Sequence, residues 1–295
     1  MLTGIRTTNT SNPIGSLVSK CQKFVCESRS YRSALIRRIL SAVLFVLMAT
    51  SSLQAFLSPP YSKPFQLVPL PPGIPDSIAQ IVLVTATSWS SPTGSLGRLE
   101  RRPGHWVQIG SSIPVNLGRK GLAWGRGLHQ IIDGRPQKVE GDQRAPAGIF
   151  GLGDVFGYSR IPPVPVNLPY RPISDRDYFV DDVESNDYNT WVNIGNADPN
   201  EPTKLWKSFE VMRRPDNLYQ LGIVIQQNVN PVVKGRGSAV FFHVWRGPGL
   251  PTAGCTSMSL KDLRVLVSWL EPTSSPVLIQ GPSSQIENLR FAPRR

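Results

Sequence analysis

Proline and glycine divide this chain into short pieces, with 28 prolines and 25 glycines among 295 residues. Between them lie short runs rich in valine, isoleucine and phenylalanine, such as residues 79–89, 105–110, 221–227, 238–245 and 276–281. Short apolar runs bounded by turn residues are typical of strands, because proline and glycine interrupt regular structure. The sequence therefore predicts a mostly β fold with minor α content. The first two runs are predicted to form a hairpin across the turn-rich residues 90–97.

One segment has a clear helical pattern. Its apolar residues share one helix face, and they are Leu260, Leu263, Leu266, Val267 and Leu270. Ser259 is a suitable N-cap, Asp262 stands at the capping-box position, and Pro272 follows the end. We therefore predict a single amphipathic helix between Ser259 and Pro272.

The N-terminal residues follow the order of a secretory leader. Arg37 and Arg38 precede the apolar run 39–50, and Ala55 offers a small residue for cleavage. The run is short for a transmembrane helix, although an uncleaved leader would act as a signal anchor and attach the chain to the membrane. A buried core helix is the alternative. We predict export to the periplasm or cell envelope.

These features suggest four segments. Residues 1–55 are a signal peptide or signal anchor with an extended N-terminus, and residues 56–78 are a proline-rich linker. Residues 79–281 form the folded domain, and residues 282–295 form a C-terminal tail.

The net charge of +12 is strongly positive, but half of it lies in the leader. The remaining excess favours an anionic cell-envelope polymer or is ordinary surface charge. No basic run with interleaved aromatic residues and no zinc-finger spacing occurs, so nucleic acid is not an expected partner.

Export leaves one cysteine in the mature chain, because Cys21 and Cys26 belong to the leader. Cys255 then has no partner for an internal disulfide, and His243 stands twelve positions before it in an apolar run. A cysteine nucleophile needs a base within reach, and backbone N–H groups around Gly254 would stabilise an oxyanion. The alternative is a core histidine with its hydrogen bonds satisfied and a buried structural cysteine.

Other chemistries have weaker support in the sequence. H-E-x-x-H, a cysteine cluster, G-x-S-x-G and S-x-x-K are all absent, and the glycines of residues 151–157 miss the dinucleotide-binding spacing. We therefore expect no metal site and no organic cofactor.

The segment HVWRGPGLPTAGCTSM resembles the catalytic signature of YkuD-type L,D-transpeptidases, in which a histidine is followed after a variable loop by Ser/Thr-x-Gly-Cys. Thr252, Gly254 and Cys255 match the second part, and His243 matches the histidine. Further blocks resemble the L,D-peptidoglycan transpeptidase-like subgroup, namely GRKGLAWGRGLH, EGDQRAPAGIFGLGDVFGY, DDVESNDYNTW and KGRGSAVFFHVWR. The resemblance spans residues 79–280.

This resemblance implies a compact, mostly β catalytic domain that acts on peptidoglycan stem peptides. Cys255 would be the nucleophile, His243 the general base and acid, and Gly254 a backbone oxyanion donor. Substrate-binding candidates are Thr252, Arg246, Arg236, Lys234, Trp124 and Tyr158, with Tyr188 and Trp191 as further aromatic residues of a peptide groove. Solvated charge and core packing are the alternatives for these residues.

Two positions depart from the family pattern. Many members have histidine before the Gly-Cys pair and arginine two residues after the cysteine, where this chain has Ala253 and Ser257. The sequence thus predicts an exported cysteine acyltransferase, an L,D-transpeptidase with L,D-carboxypeptidase activity when water is the acceptor. A hydrolase of stem peptides or of protein–peptidoglycan linkages, and a non-catalytic peptidoglycan-binding domain, are the alternatives.

Overall fold

A computed structural model describes residues 69–134 and 136–293 of the chain. The predicted leader and residues 56–68 of the predicted linker lie outside the described residues. Strands predominate in the described part, which confirms the mostly β fold. No helix there is long and apolar enough to cross a membrane.

Fourteen strands and one α-helix follow each other along the described chain. The strands are β1 (Gln80–Ala86), β2 (Thr93–Arg102), β3 (His105–Gln108), β4 (Ile113–Asn116), β5 (Leu122–Trp124), β6 (Ala145–Gly157), β7 (Tyr170–Pro172), β8 (Asp177–Val180), β9 (Trp191–Asn193), β10 (Phe209–Val211), β11 (Leu221–Ile225), β12 (Phe241–Val244), β13 (Thr256–Met258) and β14 (Val277–Pro282). Helix α1 (Leu260–Trp269) lies between the last two strands, and short 3-10 turns cover Pro202–Lys204, Pro272–Ser274 and Ser283–Asn288.

Eight strands form a closed mixed sheet. Their order is β1, β14, β6, β11, β12, β13, β4 and β2, and β2 pairs again with β1. Closure removes the free edges that would otherwise expose unpaired backbone groups. The pairs β1–β14 and β12–β13 are parallel, whereas the other pairs of this ring are antiparallel.

A smaller antiparallel sheet, in the order β10, β8, β9, is inserted between β7 and β11. In its aromatic cluster, Phe209 packs edge-on against Tyr178 and Trp206, and the rings of Tyr178 and Trp206 are tilted to each other. This sheet and the segments next to it supply side chains to the cavity described below, namely Asp181, Glu210, Arg214 and Leu218.

Helix α1 has the predicted start. The Ser259 hydroxyl accepts a hydrogen bond from the Asp262 N–H at 3.0 Å and donates to the Asp262 carboxylate. Leu263, Leu266 and Val267 are buried, and the helix packs against β11 and β12. The predicted cap and apolar face are thus confirmed.

The expected hairpin is wrong. Residues 93–97, read as part of a turn, belong to β2, which pairs with β1, β3 and β4. The glycines and small polar residues of this segment are typical of a turn, but the segment belongs to a strand whose Leu96 and Leu99 are fully buried. The segment expected to be a C-terminal tail also packs on the domain, through buried Ile286 and Leu289.

Candidate active site

The parallel pair β12–β13 brings His243 and Cys255 to one place. His243 lies opposite Ser257 in the register, and Cys255 precedes Ser257 by two residues. Side chains two apart along an extended strand point to the same face. Both His243 and Cys255 accordingly line one cavity of about 430 Å³.

The imidazole of His243 is held by its own strand. Nδ1 lies 2.8 Å from the Val244 carbonyl oxygen, and because a carbonyl only accepts, Nδ1 carries the proton. The neutral ring therefore keeps Nε2 as its proton acceptor. The ring of Tyr219 packs edge-on at 5.4 Å between centroids. Burial lowers the pKa of His243 to about 4, so the ring is neutral at pH 7.

Cys255 is a half-buried residue, and its thiol has two backbone neighbours. Sγ accepts from the Phe241 N–H at 3.4 Å and donates towards the Ala239 carbonyl at 3.5 Å. Burial raises the pKa of Cys255 to about 12, although the Phe241 N–H opposes that rise. No hydrogen bond joins Sγ to His243 within the described residues. The pair thus rests as a neutral thiol and a neutral imidazole.

The turn before Cys255 depends on Thr252 and Gly254. The Thr252 hydroxyl donates to the Cys255 carbonyl at 2.7 Å and accepts from the Gly254 N–H at 3.1 Å. Gly254 has φ of 153°, and an added Cβ would lie 3.2 Å from the Arg144 carbonyl. Since Gly254 already donates to Thr252, its predicted oxyanion role requires that bond to open. The Cys255 N–H makes no hydrogen bond with a described residue, and it is the better donor.

Charged side chains of both signs line the cavity. Arg119, Lys138, Arg214 and Arg246 provide cations, and Glu140, Asp181 and Glu210 provide carboxylates. Lys138, which is buried, pairs with half-buried Asp142 at 2.5 Å, and Arg214 pairs with Asp216. Neither Glu140 nor Asp181 has a cation within 4.0 Å among the described residues. Burial raises the pKa values of Asp181 and Glu210.

Four residues predicted for substrate binding lie away from this cavity. Trp124 and Arg236 line a second cavity of about 1350 Å³, which shares Lys138 with the first. Lys234 is exposed and donates to the Glu184 carbonyl at 3.0 Å. Tyr158 does not line the first cavity, and its hydroxyl donates to the Arg214 carbonyl at 3.0 Å. Their binding roles remain predictions, whereas Thr252 and Arg246 do line the cavity.

Sequence reasoning missed most of the cavity wall. The missed residues include Arg119, Lys138, Glu140, Asp181, Glu210, Arg214 and Tyr219. They come from loops and short strands far apart in the chain, and no spacing connects them. Within the described residues no group of three or more His, Cys, Asp or Glu side chains is arranged to hold a metal ion.

Curated proteins and solved structures contribute no argument about this site. No curated protein matches the chain. Among solved structures it is similar to Bd1075 of Bdellovibrio bacteriovorus, at 10% identity and a TM-score of 0.36, over 77% of this chain and 54% of that one. The chain thus spans about half the length of that protein, and so weak a likeness carries no argument.

The family comparison is stronger. The model of the L,D-transpeptidase catalytic domain, YkuD, matches residues 106–279, which is more than half of the chain and contains His243 and Cys255. The match also contains every strand from β4 to β13 and helix α1. The chain therefore belongs to the L,D-transpeptidase catalytic domain family.

Proposed function

We propose that this protein is a cysteine acyltransferase that acts on peptidoglycan stem peptides as an L,D-transpeptidase. The observation that carries the proposal is the placement of His243 and Cys255 on one cavity, with Nε2 of the histidine left as its proton acceptor. Membership of the L,D-transpeptidase family supports the substrate class. A cavity with both cations and carboxylates also suits a peptide that carries both an amine and a carboxylate.

The first step forms a thioester. Because thiol and imidazole are both neutral at rest, His243 Nε2 removes the Sγ proton as Sγ attacks the carbonyl carbon of an L-centre joined to a D-residue. The Cys255 N–H donates to the oxyanion of the tetrahedral intermediate. When this intermediate collapses, the C–N bond breaks and His243 returns the proton to the leaving amine of the D-residue.

The second step resolves the thioester. An amine of a neighbouring stem peptide attacks the thioester carbon, gives its proton to His243 Nε2, and forms a new amide as the C–S bond breaks. The proton then returns to Sγ. With water as the nucleophile, the same step gives a free carboxylate, which is carboxypeptidase activity.

The acyl donor and the acceptor are tested together by mass spectrometry of products. Purified protein is incubated with a tetrapeptide-stem muropeptide, with and without a second stem peptide bearing a free amine. Transpeptidation predicts D-residue release with a cross-linked product that requires the acceptor, and neither in Cys255→Ala. Release without a cross-link identifies a hydrolase, and binding without turnover identifies a non-catalytic domain.

Export is a separate part of the proposal. It is supported by the leader-like order of Arg37, Arg38, the apolar run 39–50 and Ala55. N-terminal sequencing of protein from the cell envelope tests it. A start near residue 56 is expected, whereas an intact Met1 would indicate a retained anchor or a chain that is not exported.

A further inference from the structure

Ser257 has a buried hydroxyl without a partner. The residue is 1% exposed, yet its Oγ has no hydrogen bond with any described residue. A buried polar group that lacks a hydrogen bond lowers the stability of the folded state. Ser257 also lines the cavity that contains His243 and Cys255. Its Oγ is itself buried, so a molecule bound in the cavity reaches the hydroxyl when the serine side chain turns to another rotamer.

The neighbour on the same strand behaves differently. Thr256 is also fully buried, but its hydroxyl donates to the Gln280 side chain at 2.9 Å. Alternate strand residues point to opposite faces, so Thr256 faces the core and Ser257 faces the cavity. The fold therefore gives the Thr256 hydroxyl a hydrogen-bond partner and leaves the Ser257 hydroxyl, on the cavity side, without one.

The register places Ser257 beside the proton-transfer group. Ser257 lies directly opposite His243, and neighbouring strands are about 4.8 Å apart. Cys255 lies two residues earlier, or about 6.6 Å along the strand. This register places a nucleophile that attacks an acyl group on Cys255 and gives its proton to His243 close to Ser257.

We propose that the Ser257 hydroxyl binds the amine that resolves the acyl-enzyme, accepting a hydrogen bond from its N–H while His243 Nε2 takes the proton. The inference rests on the proposed function for the nature of the amine. A neutral primary amine has two N–H groups, so one can donate to Ser257 Oγ while the other donates to His243 Nε2. The nitrogen lone pair then remains directed at the thioester carbon.

The test separates acylation from aminolysis. The full chain carrying Cys21→Ser and Cys26→Ser is acylated with p-nitrophenyl acetate, whose phenolate leaves without a proton, and in parallel with a tetrapeptide-stem muropeptide. Aminolysis of the acyl-enzyme is then followed against glycinamide concentration by intact mass. Ser257→Ala and Thr256→Val are compared in this background.

Ser257→Ala should be acylated by the ester at the parent rate but undergo aminolysis about ten-fold more slowly, with unchanged or higher thermal stability. Thr256→Val should lose stability because Gln280 loses its donor, and should keep the ratio of aminolysis to acylation. Parent-like aminolysis in Ser257→Ala, or a loss of stability equal to that of Thr256→Val, would overturn the inference.

The two donors separate this inference from the proposed function. Acylation by the ester alone would reject the stem peptide as donor and still measure the effect of Ser257 on aminolysis. Acylation by neither donor would remove Cys255 as the nucleophile and overturn both.

Discussion

Cys255 should react slowly with alkylating agents at neutral pH. Moving a thiol pKa from 9.0 to about 12 lowers the thiolate fraction at pH 7 about 1,000-fold. Thiolate nucleophilicity rises with pKa, with a Brønsted coefficient of about 0.4–0.5, and this offsets about 15- to 30-fold of the loss. The net expectation is iodoacetamide alkylation about 30- to 60-fold slower than that of an unperturbed cysteine.

The assay is alkylation between pH 5 and 10, with peptide mapping to separate Cys255 from Cys21 and Cys26. The Cys255 rate should rise about ten-fold for each pH step of one throughout this range, because the thiol remains mostly protonated. His243→Ala should leave that slope unchanged. A plateau of high reactivity below pH 7 that disappears in His243→Ala would reveal a thiolate–imidazolium pair and refute the neutral resting state.

Three further predictions concern stability. Gly254→Ala should cost about 1–3 kcal/mol in urea unfolding and slow acylation, because its backbone has φ of 153° and the new Cβ meets the Arg144 carbonyl. Gly195→Ala, at a residue with φ of 58° and open space at its Cβ, should not slow acylation. Burial lowers the pKa of His243 to about 4 from an ordinary 6.5. Wild type should therefore keep its full stability above pH 6.5 and lose up to about 3 kcal/mol as the pH falls to 4. An equally steep loss of stability in His243→Gln would contradict this prediction. Lys138→Met should destabilise by about 3–5 kcal/mol, since it leaves without its cation an Asp142 carboxylate whose side chain is only 10% exposed. A loss below about 1 kcal/mol would show that the backbone N–H groups alone hold the carboxylate.

The sequence predicted the segments that carry His243 and Cys255 because each segment has a local signal. The run around His243 has strand composition, and the turn before Cys255 is marked by glycine and proline. The helix start at Ser259 follows from capping chemistry, which acts within three residues. These elements needed no knowledge of distant parts of the chain.

Such local signals do not predict the residues that line the cavity. Asp181 and Glu210 come from an inserted sheet, and Lys138 and Glu140 come from the loop before β6. Only the closed ring of strands brings these segments together, and that ring includes β2, whose polar sequence looks like a turn. The hydrogen bond from the Gly254 N–H to the Thr252 hydroxyl likewise depends on the Thr252 rotamer, which the sequence does not specify.

The most direct test of the account is intact-mass spectrometry of the protein after brief incubation with a tetrapeptide-stem muropeptide, wild type beside Cys255→Ala. The account predicts a mass increase equal to the muropeptide less its terminal D-residue, located on Cys255 and absent from the variant. Folded wild type with a free Cys255 thiol that acquires no adduct and releases no D-residue would contradict the central claim that Cys255 forms a thioester with a stem peptide.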